Sequence, residues 1–230
     1  AGGRGACPPR GRVGRDGAAG GRHNPEFTML EWYRVGWMLE PLVDETADLV
    51  RAALRLVGRD ATLRRASYRE VYVEALGLDP MTAPLAALQT AFGGDIDPEG
   101  LTRDDWLDLL MTHRIQPAFP DGQLLAMHDY PASQCALARV VRRGDVEVAE
   151  RFELYLGPLE LANGYHELTD AGEQRARFGR DHGLRSARGL VQPPIDEALL
   201  KALASGLPAC SGVALGIDRL LMAMLGTGAI

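Results

Sequence analysis

A chain of 230 residues, 46% hydrophobic and 24% charged, is long enough to bury one sizeable core and reads as one domain. Its formal net charge of -6 argues against a protein whose main task is gripping a phosphate backbone, which needs a clustered excess of Lys and Arg. The longest apolar stretches fall short of the roughly 18 residues of a membrane span, and no apolar signal core opens the chain, so no membrane partner is expected. Cys7, Cys135 and Cys210 are dispersed without metal-ligand spacing, which points to packed thiols in a reduced, cytoplasmic setting.

In chain order, residues 1–22 hold almost no large apolar side chains, and a disordered or aberrant leader is expected, its boundary drawn at residue 14. The run EFTMLEWYR suits a strand. Leu42, Thr46, Leu49, Val50, Ala53 and Val57 predict a helix stopped by Gly58. Several short helices are expected over 66–115, with DPMTAP and GGDIDPEG as turns and Thr102 capping a helix that faces inward through Trp106, Leu109 and Leu110. RFELYLGPLELANGYHEL predicts two strand runs around Asn163-Gly164, a dipeptide that favours a tight turn or a bulge. A polar helix follows, opened by Thr169 or Asp170 with Glu173 as capping partner, then a short helix in PPIDEALLKALASG. CSGVALGIDRLLMAML reads as a glycine-interrupted strand entering a helix with a stripe of Ile217, Leu220, Leu221, Met224 and Leu225. These elements predict an α+β fold with a mainly antiparallel sheet.

Chemistry concentrates in three clusters: RHNPEFTMLEWYR at 22–34, ERFELYLGPLELANGYHEL at 150–168 and GVALGIDRL at 212–220. Glu160 and Glu167 are either solvated strand carboxylates or candidate ligands of a hard divalent cation and its phosphates. With Glu153 as a third acid they also suit a cationic amine. Gly212 and Gly216 either ease strand packing or let a nucleotide approach the backbone, with Arg219 placed to meet phosphate or stack on a base. The residues by themselves reach a candidate nucleotide site and no further.

Together the clusters resemble class II aminoacyl-tRNA synthetases of the lysine branch. The GIDR run with its glycine-spaced strand is similar to motif 3, and RHNPEFTMLEWY to the end of motif 2. Closer still is the resemblance to the stand-alone lysyl-tRNA synthetase paralogues that attach (R)-β-lysine to elongation factor P, carried by HNPEFTMLEWYR, YPASQ, ELANGYHELTDAGEQRARF and CSGVALGIDRL over about Arg15 to Gly226. Ala214, where synthetases show glycine, and His166, where they show serine, favour the paralogue.

The resemblance implies an antiparallel sheet flanked by helices and a partial catalytic domain over 15–230. ATP as substrate, Mg2+ and lysine or (R)-β-lysine are implied, with elongation factor P as acceptor and tRNA less favoured. It implies catalytic roles for Arg15, Glu160 and Arg219. Arg15, His23, Asn24, Phe27, Glu160, Leu161, Gly216 and Arg219 would line ATP, Phe27 and Arg219 facing the adenine from two sides. Tyr33, Glu167 and Ala214 would bind the amino acid, and Glu160 and Glu167 are the implied metal ligands.

Intact members form homodimers through a motif 1 that this chain does not show. Gly14, Gly17 and Ala18 also stand where members carry the Phe and Glu around the motif 2 arginine, and a final strand is expected beyond GTGAI. A truncated chain with weaker ATP binding is therefore expected. A lysyl-tRNA synthetase fragment and a noncatalytic nucleotide-binding remnant are the alternatives.

Overall fold

The computed structural model of the chain describes residues 10–14 and 26–228. Its framework is an eight-stranded sheet built from β1 (Arg10–Gly14), β2 (Glu26–Val35), β3 (Thr62–Ser67), β4 (Gln123–Pro131), β5 (Val140–Arg143), β6 (Val146–Leu156), β7 (Leu159–His166) and β8 (Cys210–Gly216). The strand order is β1-β2-β8-β7-β6-β4-β3, and β5 extends the sheet from the end of β6. All pairings are antiparallel except β3 with β4. Arg10–Gly14, placed in the leader by composition, pair along β2 from Leu30 to Glu26.

Helices cover the two faces unequally, and that inequality creates the site. Helix α1 (Leu39–Arg55) lays Leu42, Ala47, Val50 and Leu54 against Trp32, Phe152, Leu154, Val213 and Leu215 of the first face. Leu49 and Val57, expected on that stripe, are exposed instead. Helices α2 (Tyr68–Leu76), α3 (Leu85–Phe92) and α4 (Arg103–Leu110) pack Tyr72, Leu88, Trp106 and Leu107 on the second face, over β3, β4 and β6 through Ala66, Leu125, Met127 and Tyr155. The alternation Leu124, Leu125, Ala126, Met127 feeds the two cores in turn. Thr102 caps α4 reciprocally with Asp105, and Ser67 caps α2 with Glu70 in the same way.

The remaining elements are α5 (Ala171–Ala187), α6 (Glu197–Ala204) and α7 (Ile217–Leu225). Asp170 caps α5, accepting from the Glu173 amide, whereas the Glu173 side chain turns to Arg177 and Arg180. On α7 the buried positions are Leu220, Met222 and Ala223, while Leu221 and Leu225 are exposed. The expected stripe is rotated because Asp218 and Arg219 are tied down, Asp218 accepting from the Thr28 amide at 2.6 Å and Arg219 donating to the Glu160 carbonyl at 2.9 Å.

The β6–β7 turn falls at Gly157-Pro158, with Gly157 at φ +52°, and not at Asn163-Gly164. Those two residues lie inside β7, opposite Glu153 and Phe152. Gly164 is there for packing, since a Cβ would run into the Phe152 ring and stand 2.9 Å from the Gly212 carbonyl oxygen. Gly164→Ala is expected to destabilise the chain by about 3 kcal/mol through overpacking against ring and backbone. Chemical denaturation reads this directly, and an unchanged midpoint would contradict it.

Candidate functional site

Over β2, β8 and β7 the second face carries no helix, and many of its side chains are polar. Pairing aligns them in rows across the strands: Glu31, Ala214, Asn163 and Glu153 in one, and Tyr33, Gly212, Tyr165 and Arg151 in the next. At the far end Gly216 lies opposite Met29, next to Arg219.

Gly212 is the point of closest approach at the other end. A Cβ there would stand 2.5 Å from Tyr33 Cε1 and 2.7 Å from Glu167 Oε1, so the phenol ring and the carboxylate share the space over this glycine. Among the described residues no side chain hydrogen-bonds or ion-pairs with the Glu167 carboxylate. Burial pushes it up to about 7. Burial and the Glu167 charge together raise the Tyr33 phenol. A half-buried acid with no cation of its own is a receptor for an amine.

The end near Arg219 depends on a β-bulge. Leu154 pairs with Ala162 but Tyr155 pairs with Glu160, so Leu161 is the extra residue. The Leu161 side chain is buried in the first core, and Glu160 is re-aimed onto the site face. What Leu161 can offer a ligand is therefore main chain, its carbonyl lying 3.7 Å from a Cβ built on Gly216. Arg219 reaches Glu160 Oε2 at 3.4 Å. Burial and the neighbouring Glu153 raise the Glu160 carboxyl, and Arg219 offsets part of that rise. Glu153 is itself buried, with Arg151 and the Tyr155 hydroxyl on its two oxygens.

These placements correct the expected metal pair. Glu160 in β7 and Glu167, one residue past its end, lie seven residues apart, on the order of 20 Å at strand spacing, too far to share a cation. The acid beside Glu160 is Glu153 across the hairpin. Among the described residues no group of three or more His, Cys, Asp or Glu forms a protein-only metal cage. One carboxylate with a neighbouring acid fits magnesium, which keeps waters and takes its other oxygens from phosphates. Phe27 sits on β2 next to Thr28, whose amide holds Asp218, so it shares this end with Arg219. Arg15, His23 and Asn24 lie outside the described residues. His166 faces away from the site, buried, with Nδ1 2.6 Å from Glu150 and Nε2 3.3 Å from Arg139.

Glu31, Arg151, Asn163 and Tyr165 enter the site although the sequence did not single them out. Their only signal is two-residue periodicity, which becomes informative once strand partners are known.

A family model described as tRNA synthetases class II (D, K and N) matches residues 11–230. The chain belongs to this family. Among similar proteins are elongation factor P–(R)-beta-lysine ligases. That of Yersinia enterocolitica serotype O:8 is 44% identical over 229 residues, covering 97% of this chain and 69% of the relative. That of Mannheimia succiniciproducens is 45% identical over 224 residues, covering 95% and 67%. That of Salmonella typhi is 44% identical over 217 residues, covering 92% and 65%. The class II chain thus spans about two thirds of the length of these relatives. Its central sheet with flanking helices agrees with the family, and among the described residues no helix is long and apolar enough to cross a membrane.

Proposed function

We propose that this chain is the catalytic part of an ATP-dependent ligase that activates lysine or (R)-β-lysine and passes it to a lysine of elongation factor P. The observation that carries the reading is the Glu167 carboxylate held with Tyr33 over Gly212, half-buried and without a cation among the described residues. It is matched to a long amine-bearing side chain. The activity for which the relatives are named supports the same reading.

In this mechanism the amino acid carboxylate attacks the α-phosphorus of ATP and pyrophosphate leaves, giving an aminoacyl-adenylate. The ε-amine of the acceptor lysine then attacks the acyl carbon and AMP leaves. Glu167 and Tyr33 would anchor the substrate amine, and Glu31 and Asn163, flanking Ala214, would border its backbone end. The Ala214 methyl narrows that place, a means of preferring the β-amino isomer. Arg219 and Phe27 would hold the adenine from two sides, and Arg15, His23 and Asn24 would meet the rest of the nucleotide. Magnesium, carried by Glu160 with Glu153 beside it, supplies neutralisation of phosphate charge when bound. Catalysis then rests on positioning and on fixed charge.

An acidic chain of net charge -6 offers little electrostatic footprint for tRNA, so a protein acceptor is favoured, in the cytoplasm and in a homodimer. Pyrophosphate exchange dependent on lysine or (R)-β-lysine should be detected, and radiolabelled amino acid should appear on elongation factor P. Label mainly on tRNA would replace this reading with a lysyl-tRNA synthetase, and nucleotide binding without exchange would leave a noncatalytic remnant.

A further inference from the structure

A cleft of about 430 Å³ lies between β5, helix α5 and the residues 132–139 that join β4 to β5. Its wall is apolar at Val140 and Leu168, with the half-buried Cys135 thiol beside them. Three arginines supply its charge, and each keeps donors to spare. Arg177 is 5% exposed, with Nε donating to Glu173 at 3.0 Å and Nη1 to the Ala136 and Ala138 carbonyls at 3.1 and 2.7 Å. Nη2 is left without an acceptor among the described residues. The fully enclosed side-chain donors that lack a partner belong to Arg51, Trp106 and Tyr130, so Nη2 is open to the cleft that Arg177 lines.

Arg139 reaches His166 Nε2 through Nη1 at 3.3 Å. An arginine only donates, so that imidazole nitrogen accepts, and the ring gives its one proton from Nδ1 to Glu150 at 2.6 Å. His166 is therefore neutral, and no acid meets the Arg139 charge among the described residues. Arg180 spends only Nη2, on Glu173 at 3.3 Å. Glu147 and Glu173 are the acids of the lining, and against three arginines they leave one positive charge in surplus.

We infer that this cleft binds a small organic carboxylate, its head on the spare nitrogens of Arg139, Arg177 and Arg180 and its short apolar stem on Val140 and Leu168. A guanidinium fork matches the two carboxylate oxygens, and a single surplus charge suits a monoanion better than a phosphate dianion. The site shares no side chain with the slot over Gly212, so it stands independently of the amino acid reading.

Cys135 reports on occupancy from inside the cleft. Iodoacetate carries the carboxylate and iodoacetamide does not, so the ratio of their alkylation rates at Cys135, read by mass spectrometry at constant ionic strength, measures recognition of the anion. Any change in thiol ionisation affects both reagents alike and cancels. Relative to the same cysteine in the urea-unfolded chain, that ratio is expected to rise about tenfold, the scale of one charge-assisted hydrogen bond. Butyrate should slow the reaction of folded Cys135 with iodoacetamide, and the doubly substituted Arg139→Gln, Arg180→Gln chain should lose both effects. Both residues are exposed, whereas Arg177 holds two main-chain carbonyls and is left in place. Should neither reagent reach Cys135 in the folded chain, calorimetric titration of butyrate into the wild-type and doubly substituted chains decides. Binding that the double substitution removes supports the site, and absent or unchanged binding overturns it. An unraised ratio, or phosphate protecting Cys135 at lower concentration than butyrate, would overturn the carboxylate assignment.

Discussion

Glu167→Gln is expected to lower the affinity for lysine or (R)-β-lysine by about 100-fold, the scale for truncating one partner of a desolvated charge pair. The same change should make the ligand-free protein more stable at alkaline pH. Both follow from one fact: burial holds this carboxyl near 7 instead of the ordinary 4.5. Between those values the folded chain binds more protons at this site than the unfolded chain does, so its contribution to stability falls as pH rises through the window. Above pH 7 the half-buried charge opposes folding by roughly 2 to 3 kcal/mol, a cost that the amide does not carry. Ligand binding runs the opposite way. The amine needs the carboxylate ionised, so wild-type affinity should fall as pH drops below about 7, by up to about tenfold per unit, while the Gln variant stays flat. Calorimetric titrations between pH 6 and 8.5, with thermal melts at pH 5 and pH 8, read both trends. A Gln variant that binds normally, or that melts earlier than wild type at pH 8, would contradict this account.

Gly212→Ala should abolish amino acid activation while sparing the fold. The new methyl would enter the space shared by Tyr33 and Glu167, 2.5 Å from the ring and 2.7 Å from the carboxylate oxygen. Tyr33 is 48% exposed, so its ring can swing into solvent and relieve the clash without disturbing the sheet. What is lost is the slot and the placement of the ring. Displacements of about 1 Å in a substrate-positioning group can cost on the order of 100-fold, and here the volume is filled as well, so a loss of at least that size is expected in pyrophosphate exchange. The melting temperature should move far less than in Gly164→Ala, where the clash is with a buried ring and a main-chain oxygen. Normal amino acid affinity in Gly212→Ala would remove this glycine from the site. A melting point as low as that of Gly164→Ala would assign it to packing instead.

Much was legible in the sequence. The strand at EFTMLEWYR, the helix that follows it, the Thr102 and Asp170 caps and the strand-to-helix run into Ile217–Leu225 depend on near neighbours along the chain, and the structure contains them all. The resemblance carried by the motif runs also named Tyr33, Glu167, Ala214, Gly216 and Arg219, which lie on or beside one face of β2, β7 and β8.

Tertiary structure decided the rest through partners that spacing along one strand does not disclose. Asn163-Gly164 has the composition of a turn yet lies inside β7, because Gly157-Pro158 closes the hairpin first and Phe152 occupies the space above Gly164. Glu160 reaches the site face, and Leu161 the core, only because a bulge shifts the alternation by one residue. The acids that meet are Glu153 and Glu160 across the hairpin, and not Glu160 and Glu167 along the strand. Side-chain alternation tells which residues share a face. Register and bulges, set by the whole packed sheet, tell which of those residues meet, and binding an amino acid or a nucleotide depends on that meeting.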